Sequence, residues 1–439
     1  MKSFRLLAKL IFIFIVAGCF AALSQLPTLA LESNSVTDES SQVLQKDQLQ
    51  VEDLKKLAIL NNPELAAIRF EQAASEGSIL QSSLKPNPSI EVEAGDVPTD
   101  SPSDGQLKIS YVQPHESVLK RKSVVRTAKL ESEYLEHQYN AKEREIVGNV
   151  QLVYTELISN QQALVLYESL LKQAGETVKI AETRLSVKSA TITEVIKTRV
   201  EVDELKLGKE RIENRLVSLS ERLTTVCGIE VLYERVAGLL PGTFPVYDSE
   251  SLKETLLNEH PLLSGAGLQV KVAEARYEEA IAGKKAGYDL RFSYGHHFGE
   301  NDNFVEAGIE FPLTTNDKNE GNILETKNLI EEAKSRVTVV KNELIDEITQ
   351  AHEEYINART QLVTLKDTIL PSVTKVYDNT LIGYQYGKNS LLDILDAQRT
   401  LFSTQLLVWE LAKDANLALS RLMQIGGDSL NGLNKGELE

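Results

Sequence analysis

Two aspartates three residues apart, Asp393 and Asp396, stand in the stretch YGKNSLLDILDAQRT, from Tyr386 to Thr400. A glycine turn there leads into a helix whose first turns are otherwise apolar. Carboxylates at this spacing share one helix face and repel slightly. One reading is the helix dipole, which favours acids in a first turn, together with plain solvent exposure. The other is a working site, whose kind the remaining residues have to define.

Those residues offer no constellation for covalent chemistry. His352 opens HEEYI, which lacks the second histidine of HExxH, and no CxxC occurs. Gly265-Ala266-Gly267 lies inside a helical pattern and is too little for a dinucleotide site. His296 and His297 sit near a strand end, where adjacent residues point to opposite faces. One of them could meet a metal, but solvated loop histidines are the plainer reading. Cys227, near a helix end, reads as a buried inert thiol. The chain is therefore read as no enzyme, with no cofactor and no resident metal.

The formal charge of -17 over 439 residues argues against nucleic acid as a partner. It fits cations, or simply solubility. Two cysteines, Cys19 and Cys227, give no disulfide framework. Residues 1–30 read as an export leader, with basic Lys2, Arg5 and Lys9 ahead of an apolar run from Leu10 to Val16. Val16-Ala17-Gly18-Cys19 resembles a lipobox, which would make Cys19 a lipidation candidate. Ordinary cleavage after PTLA, near Ala30, is the alternative. No later stretch holds the roughly 20 apolar residues of a transmembrane helix. Any part embedded in lipid would have to be β.

The elements that must position these residues come twice. NNPELAAIRFEQAASEGSILQ from Asn61 and NEHPLLSGAGLQVKVAEARYEEA from Asn258 are Pro-marked helix starts. Each precedes a strand pair and then a long helical tract. EVIKTRVEV at Glu194 matches DILDAQRTL at Asp393, and Gly228 answers Gly427. The expected plan is a flexible segment 31–50, a first repeat 51–230, a linker 231–250, a second repeat 251–427 and a tail 428–439. The offset of about 200 residues is far beyond solenoid periods. Val118 to about Lys188 should form one helix on the order of 100 Å long. Heptads run through Leu205, Ile212, Leu219 and Val226, and through Ile394, Leu401, Val408, Ala415 and Leu422. Such seams drive supercoiling. An ordinary coiled-coil tether satisfies the same pattern.

Strands are expected at about 89–95, 106–113, 289–297 and 303–312. Their alternation puts Ile90, Val92, Leu107, Ile109, Tyr111, Leu290, Phe292, Tyr294, Val305, Ala307, Ile309 and Phe311 on one face. Glu91, Glu93, Lys108, Ser110, Arg291, Ser293, Glu306 and Glu310 fall on the other. A soluble sheet on a helix gives this alternation, and so does a membrane barrel with a polar lumen. Four strands cannot close, and open edges in lipid would leave backbone groups unpaired. The membrane reading therefore requires several protomers. It would make the polar residues lumen-facing, with carboxylates outnumbering Lys108 and Arg291 and giving a weak cation preference.

LKPNPSIEVE, YVQPHE with Lys120-Arg121-Lys122 and Arg126 behind it, IEFPL at Ile309 and YQYGKNSLLDILDAQR resemble the TolC-type outer membrane efflux proteins. The resemblance spans about Val51 to Gly427. The Pro-Asn-Pro and Gln-Pro-x-Glu features look most like its heavy-metal, CzcC-like branch, although Leu119 stands where a glycine is usual. The resemblance implies a mainly α fold with a β-barrel part. Three copies would form a twelve-stranded barrel in outer membrane lipid above a long periplasmic α-helical barrel. The implied partners are a periplasmic adaptor and an inner-membrane pump of the resistance-nodulation-division type. Asp393 and Asp396 match the family's acidic pair near the periplasmic entrance. Rings of carboxylates favour cations and can raise one another's pKa. The first repeat has Glu194 and Lys197 at the matching places. Gly383 and Gly387 match the turn region where the helical tip would meet the adaptor. The implied function is a passive conduit, with metal cations as cargo. Drug efflux, type I secretion and a soluble periplasmic coiled-coil adaptor are the alternatives.

Overall fold

The computed structural model describes residues 40, 43–44, 46–95, 105–258, 260–285, 287–427 and 430. The expected leader with Cys19, most of segment 31–50 and all of tail 428–439 except Leu430 lie outside the described residues. The chain divides into Met1–Lys46 and Asp47–Glu439, and every element below belongs to the second unit. In chain order these are α1 (Val51–Asn61), α2 (Pro63–Ser83), β1 (Ser89–Gly95), β2 (Gln106–His115), α3 (Val118–Ser186) and α4 (Ile192–Cys227). After a 3-10 turn at Tyr233–Arg235 come α5 (Ser249–Asn258), α6 (Pro261–Ala282), β3 (Tyr288–His297) and β4 (Asp302–Glu310). Last among the described elements come α7 (Glu320–Thr364), α8 (Leu370–Gln385) and α9 (Leu391–Gly426).

The same local chemistry starts corresponding helices. Asn62 caps α2 by accepting from Glu64 N at 2.8 Å, with Pro63 supplying the preset φ of a first helical residue. His260 does so for α6, its Nδ1 accepting from Leu262 N at 3.3 Å ahead of Pro261. Burial, with Arg144 nearby, pushes His260 down to about 4. Its ring is neutral at pH 7, and Nδ1 can act as an acceptor. Gly228 (φ 70) and Gly427 (φ 55) terminate α4 and α9.

The α3 helix is 69 residues long, about 100 Å at 1.5 Å per residue. Its second-half counterpart is interrupted. A π turn at Leu365–Ile369 separates α7 from α8, whose second residue is Pro371. Proline has no N–H for the i−4 carbonyl and crowds it, and a widened turn absorbs both faults. The heptad residues face inward: Ile212, Leu219, Ile394, Leu401, Ala415 and Leu422 are buried, and Leu205, Val226 and Val408 half-buried. Buried polar rungs tie the helices. Thr155 Oγ1 lies 2.9 Å from Ser420 Oγ, and Thr177 donates to Gln398 Oε1 at 3.0 Å. Cys227 is fully buried, and burial pushes its thiol up to about 12.

The region 231–250 is stitched down on both sides of its exposed middle. Leu49, expected in the flexible segment, is fully buried and forms a parallel bridge with Val236. Tyr355 Oη donates to Pro245 O at 2.7 Å and Arg359 Nε to Phe244 O at 2.8 Å. A Pro- and Gly-rich backbone cannot satisfy its own carbonyls, so helix side chains do.

The four strands form one antiparallel sheet in the order β1-β2-β3-β4. The central β2–β3 pairing, from Gln106↔His297 to His115↔Tyr288, joins the two halves of the chain. β2 extends past residue 113 because Gln113–His115 pair with β3 and His115 stacks on Tyr288 at 5.0 Å. β4 stops at Glu310, short of the expected 312, since Pro312 has no N–H to donate. Phe311, expected on the apolar face, lies beyond the strand with its ring 5.8 Å from Tyr288.

Candidate functional site

Two regions carry the predicted site residues. The first is the polar face of the sheet. Register places Glu91 and Glu93 of β1, Lys108 and Ser110 of β2, Arg291 and Ser293 of β3, and Glu306 and Glu310 of β4 together. Lys108 Nζ is 2.7 Å from Glu93 and 4.0 Å from Glu306. Arg291 reaches over β2 to Glu91 at 3.1 Å and Glu93 at 4.0 Å, and backward to Glu310 at 3.8 Å. The small Ser110–Ser293 pair beneath, hydrogen-bonded at 2.9 Å, leaves room for that reach. Four carboxylates against two cations leave this face net negative. Exposed pairs of this kind contribute little stability. Their consequence is a field.

The opposite face is apolar and bare. Ile90, Val92, Phe292, Tyr294 and Val305 are each more than half exposed, with Val305 at 79 %. Ser110 and Ser293 on the polar face are buried. A soluble sheet shields its apolar side. Here the polarity is reversed, as lipid outside and water inside demand. Among the described residues no helix is long and apolar enough to cross a membrane.

The second region is the pair of helical tips, built alike. In the second tip Gly387 takes φ 71, and Lys388 N donates to Gly383 O at 2.7 Å. In the first, Lys188 takes φ 62, and Ser189 N donates to Arg184 O at 2.7 Å. Gly383 differs from the turn role expected of it. It lies in the last turn of α8 with no positive φ, and is small because Asn389 folds over it: a Cβ there would come 2.6 Å from Asn389 Oδ1.

Asp393 is the third residue of α9 and closes a capping box with Ser390. Its Oδ2 accepts from Ser390 N and Ser390 Oγ, both at 2.8 Å, and Asp393 N donates to Ser390 Oγ at 3.3 Å. These bonds hold its carboxyl below the usual range, the backbone N–H first. Thr191 and Glu194 form the same box at α4. Asp396 is exposed on the same face, while Leu391, Ile394 and Leu395 are buried toward α3 and α8. The signature [ST]-x-x-[DE], present twice, was readable in the sequence.

Sequence reasoning missed the bonds that hold one tip to the other. Arg184 Nη1 donates to Tyr384 O at 2.7 Å, with its guanidinium 4.4 Å from the Tyr384 ring centroid. Arg399 of α9 donates to the buried carboxylate of Glu201 on α4, Nε at 2.6 Å. No spacing rule links residues about 200 positions apart.

The profile described as outer membrane efflux protein matches residues 54–228 and 252–428. The cobalt-zinc-cadmium resistance protein CzcC of Cupriavidus metallidurans is 25% identical over 365 residues, 82% of this chain and 85% of that protein. The outer membrane protein TolC of Vibrio cholerae is 22% identical over 394 residues, covering 84% and 88%. The solved outer-membrane channel OprN superposes with a TM-score of 0.72 at 14% identity, over 86% of this chain and 90% of that one.

Proposed function

Since the chain belongs to the outer membrane efflux protein family, we propose that its cargo is heavy-metal cations, delivered by an inner-membrane pump through a periplasmic adaptor. The protein is an outer membrane channel of a tripartite efflux system, with its helical part in the periplasm, and it is not an enzyme. The soluble adaptor and periplasmic enzyme readings fall with that membership. Family members work as homotrimers. The observation that carries the channel reading is the reversed sheet, bare on its apolar side and ion-paired on its polar side.

Closure with further copies follows from the edges, and three is the family's number. Among the described residues, β1 and β4 each present one unpaired side. Lipid offers no hydrogen bonds, so β1 of one copy has to meet β4 of the next. On α4, exposed Ile192, Ile196, Val200 and Leu207 supply a further apolar stripe for a neighbouring helix.

The metal reading is supported by the likeness to CzcC, by the net negative lumen face and by the acidic pair at the tip. The test is growth of a deletion strain on zinc, cobalt, cadmium, copper and silver salts, alongside dyes, detergents and antibiotics. Selective metal sensitivity, rescued by the intact gene, is expected. Sensitivity to organic compounds alone would remove the metal cargo and leave the channel.

At the tip, the charge of Asp393 and Asp396 is proposed to set ion preference and the closed state. Asp393→Asn plus Asp396→Asn keeps an acceptor for the Ser390 cap but removes the charge. In planar bilayers this variant should show a several-fold lower cation-over-anion preference and altered resting closure. Unchanged conductance, selectivity and closure would end that role.

A further inference from the structure

The turn of the β3–β4 hairpin, at the end of the sheet away from the helices, gathers His297, Glu300 and Asp302. One ligand atom from each lies within 4.8 Å of the others. His297 and Asp302 are a directly opposed pair. Alternation puts His297 on the same face as Arg291, Ser293 and Gly295, the polar side of the sheet. Asn301 takes φ 53 in the turn, between Glu300 and Asp302, whose ligand atoms lie within 4.8 Å of a ring nitrogen. The ring is fixed from one side by Phe304, centroids 4.6 Å apart. Phe304 can lie there because Gly295 opposite has no Cβ to collide with it.

The two neighbouring histidines differ. His296, on the apolar side, has its Nδ1 3.0 Å from Asn303 Oδ1 and its ring edge-on to Phe298. It is satisfied. His297 Nδ1 is shielded from solvent and makes no hydrogen bond among the described residues, although Asp302 Oδ1 lies 3.3 Å away. The side chain is 36 % exposed, yet this one atom is shielded and makes no hydrogen bond, and an unseen ion is one of the standard explanations. The nitrogen faces two carboxylates, both acceptors. A cation between them satisfies all three at once.

We infer that this hairpin tip holds a divalent transition-metal ion, with His297 Nδ1, Glu300 and Asp302 as its protein ligands. One imidazole and two carboxylates suit zinc and cobalt, whereas calcium and magnesium take all-oxygen shells. Ligand atoms around one zinc stand ~3.4 Å apart, so the exposed Glu300 has to close by only about 1–2 Å. Three protein ligands leave at least one position to water, which makes the ion exchangeable. The site faces the lumen side at the exit end of the channel. It does not depend on metal being the cargo.

The test uses the full-length trimer in detergent, carrying no histidine tag and stripped with chelator. It is titrated with zinc by calorimetry and with cobalt by visible absorption. The expected result is one zinc per protomer, lost in His297→Ala and weakened about tenfold or more in Glu300→Gln, with His296→Ala as native. Because His297→Ala also removes a ring packed on Phe304, Glu300→Gln is the arm that leaves the hairpin packing alone. Absence of zinc binding, or binding with the same stoichiometry and affinity in both variants, overturns the inference. Neither outcome bears on the growth test of cargo.

Discussion

Phe292→Arg will keep the protein from assembling in the outer membrane. Phe292 lies at the middle of the inner strand β3, between Tyr111 and Ala307, with its ring 55 % exposed on the bare apolar face. On a soluble sheet an exposed position accepts arginine at little cost. On a lipid-facing strand a cation at the bilayer midplane costs about 2–4 kcal/mol. The same penalty recurs in every copy of a symmetric barrel, against folding stabilities of only about 5–15 kcal/mol. Glu306→Gln on the opposite face is the control, since it changes only a lumenal charge. Fractionation of cell envelopes should find the Glu306→Gln trimer in the outer membrane and the Phe292→Arg chain absent or degraded. Normal outer membrane levels of the Phe292→Arg trimer would refute the assignment of the apolar face to lipid.

Gly228→Ala will destabilise the helical part far more than Gly387→Ala. The two glycines have nearly the same backbone, φ 70 and φ 71. Alanine in that left-handed region costs about 1–2 kcal/mol at either position. Their surroundings differ. Around Gly387 a Cβ would meet nothing within 4 Å. At Gly228 it would run into the carbonyl of Asn61, at the junction where Asn62 Nδ2 donates to Val226 O at 2.9 Å. The obstacle is backbone held by a cap, so it cannot rotate away. Overpacking of this kind adds about 1–3 kcal/mol. The total for Gly228→Ala is then about 2–5 kcal/mol, against about 1–2 for Gly387→Ala. Thermal unfolding followed by helical circular dichroism separates the cases. Equal shifts for the two variants would show that the junction of α1 and α2 with α4 yields freely.

Half of the first prediction was within reach of the sequence, and the core of the second was not. Alternation assigns Phe292 and Ser293 to opposite faces, and nothing in the fold alters that. Which face lies bare was open until the sheet was seen, because alternation is the same for a soluble sheet and a barrel. Gly228 was legible as a helix end matching Gly427. Its contact with Asn61 was not, since it joins parts of the chain more than 160 residues apart. Asp393 divides in the same way. Its place in a first turn is local and readable, and so is the Ser390 cap. Where the pair points in the assembled channel depends on how three copies meet.

The sequence by itself determined what is local and periodic. That includes the long helix from Val118, the inward heptads, the Pro-marked helix starts, the two-faced strands and the doubled order of elements. Each follows from how side chains at fixed spacing partition between water and apolar surroundings. Only the tertiary structure decided the pairings: Arg291 across β2 to Glu91, Arg399 to Glu201, Arg184 to Tyr384, and His297 rather than His296 facing two carboxylates. Spacing fixes the face on which a residue stands. Which distant face it meets is set by strand register and helix packing, and these are settled by the whole chain folding at once.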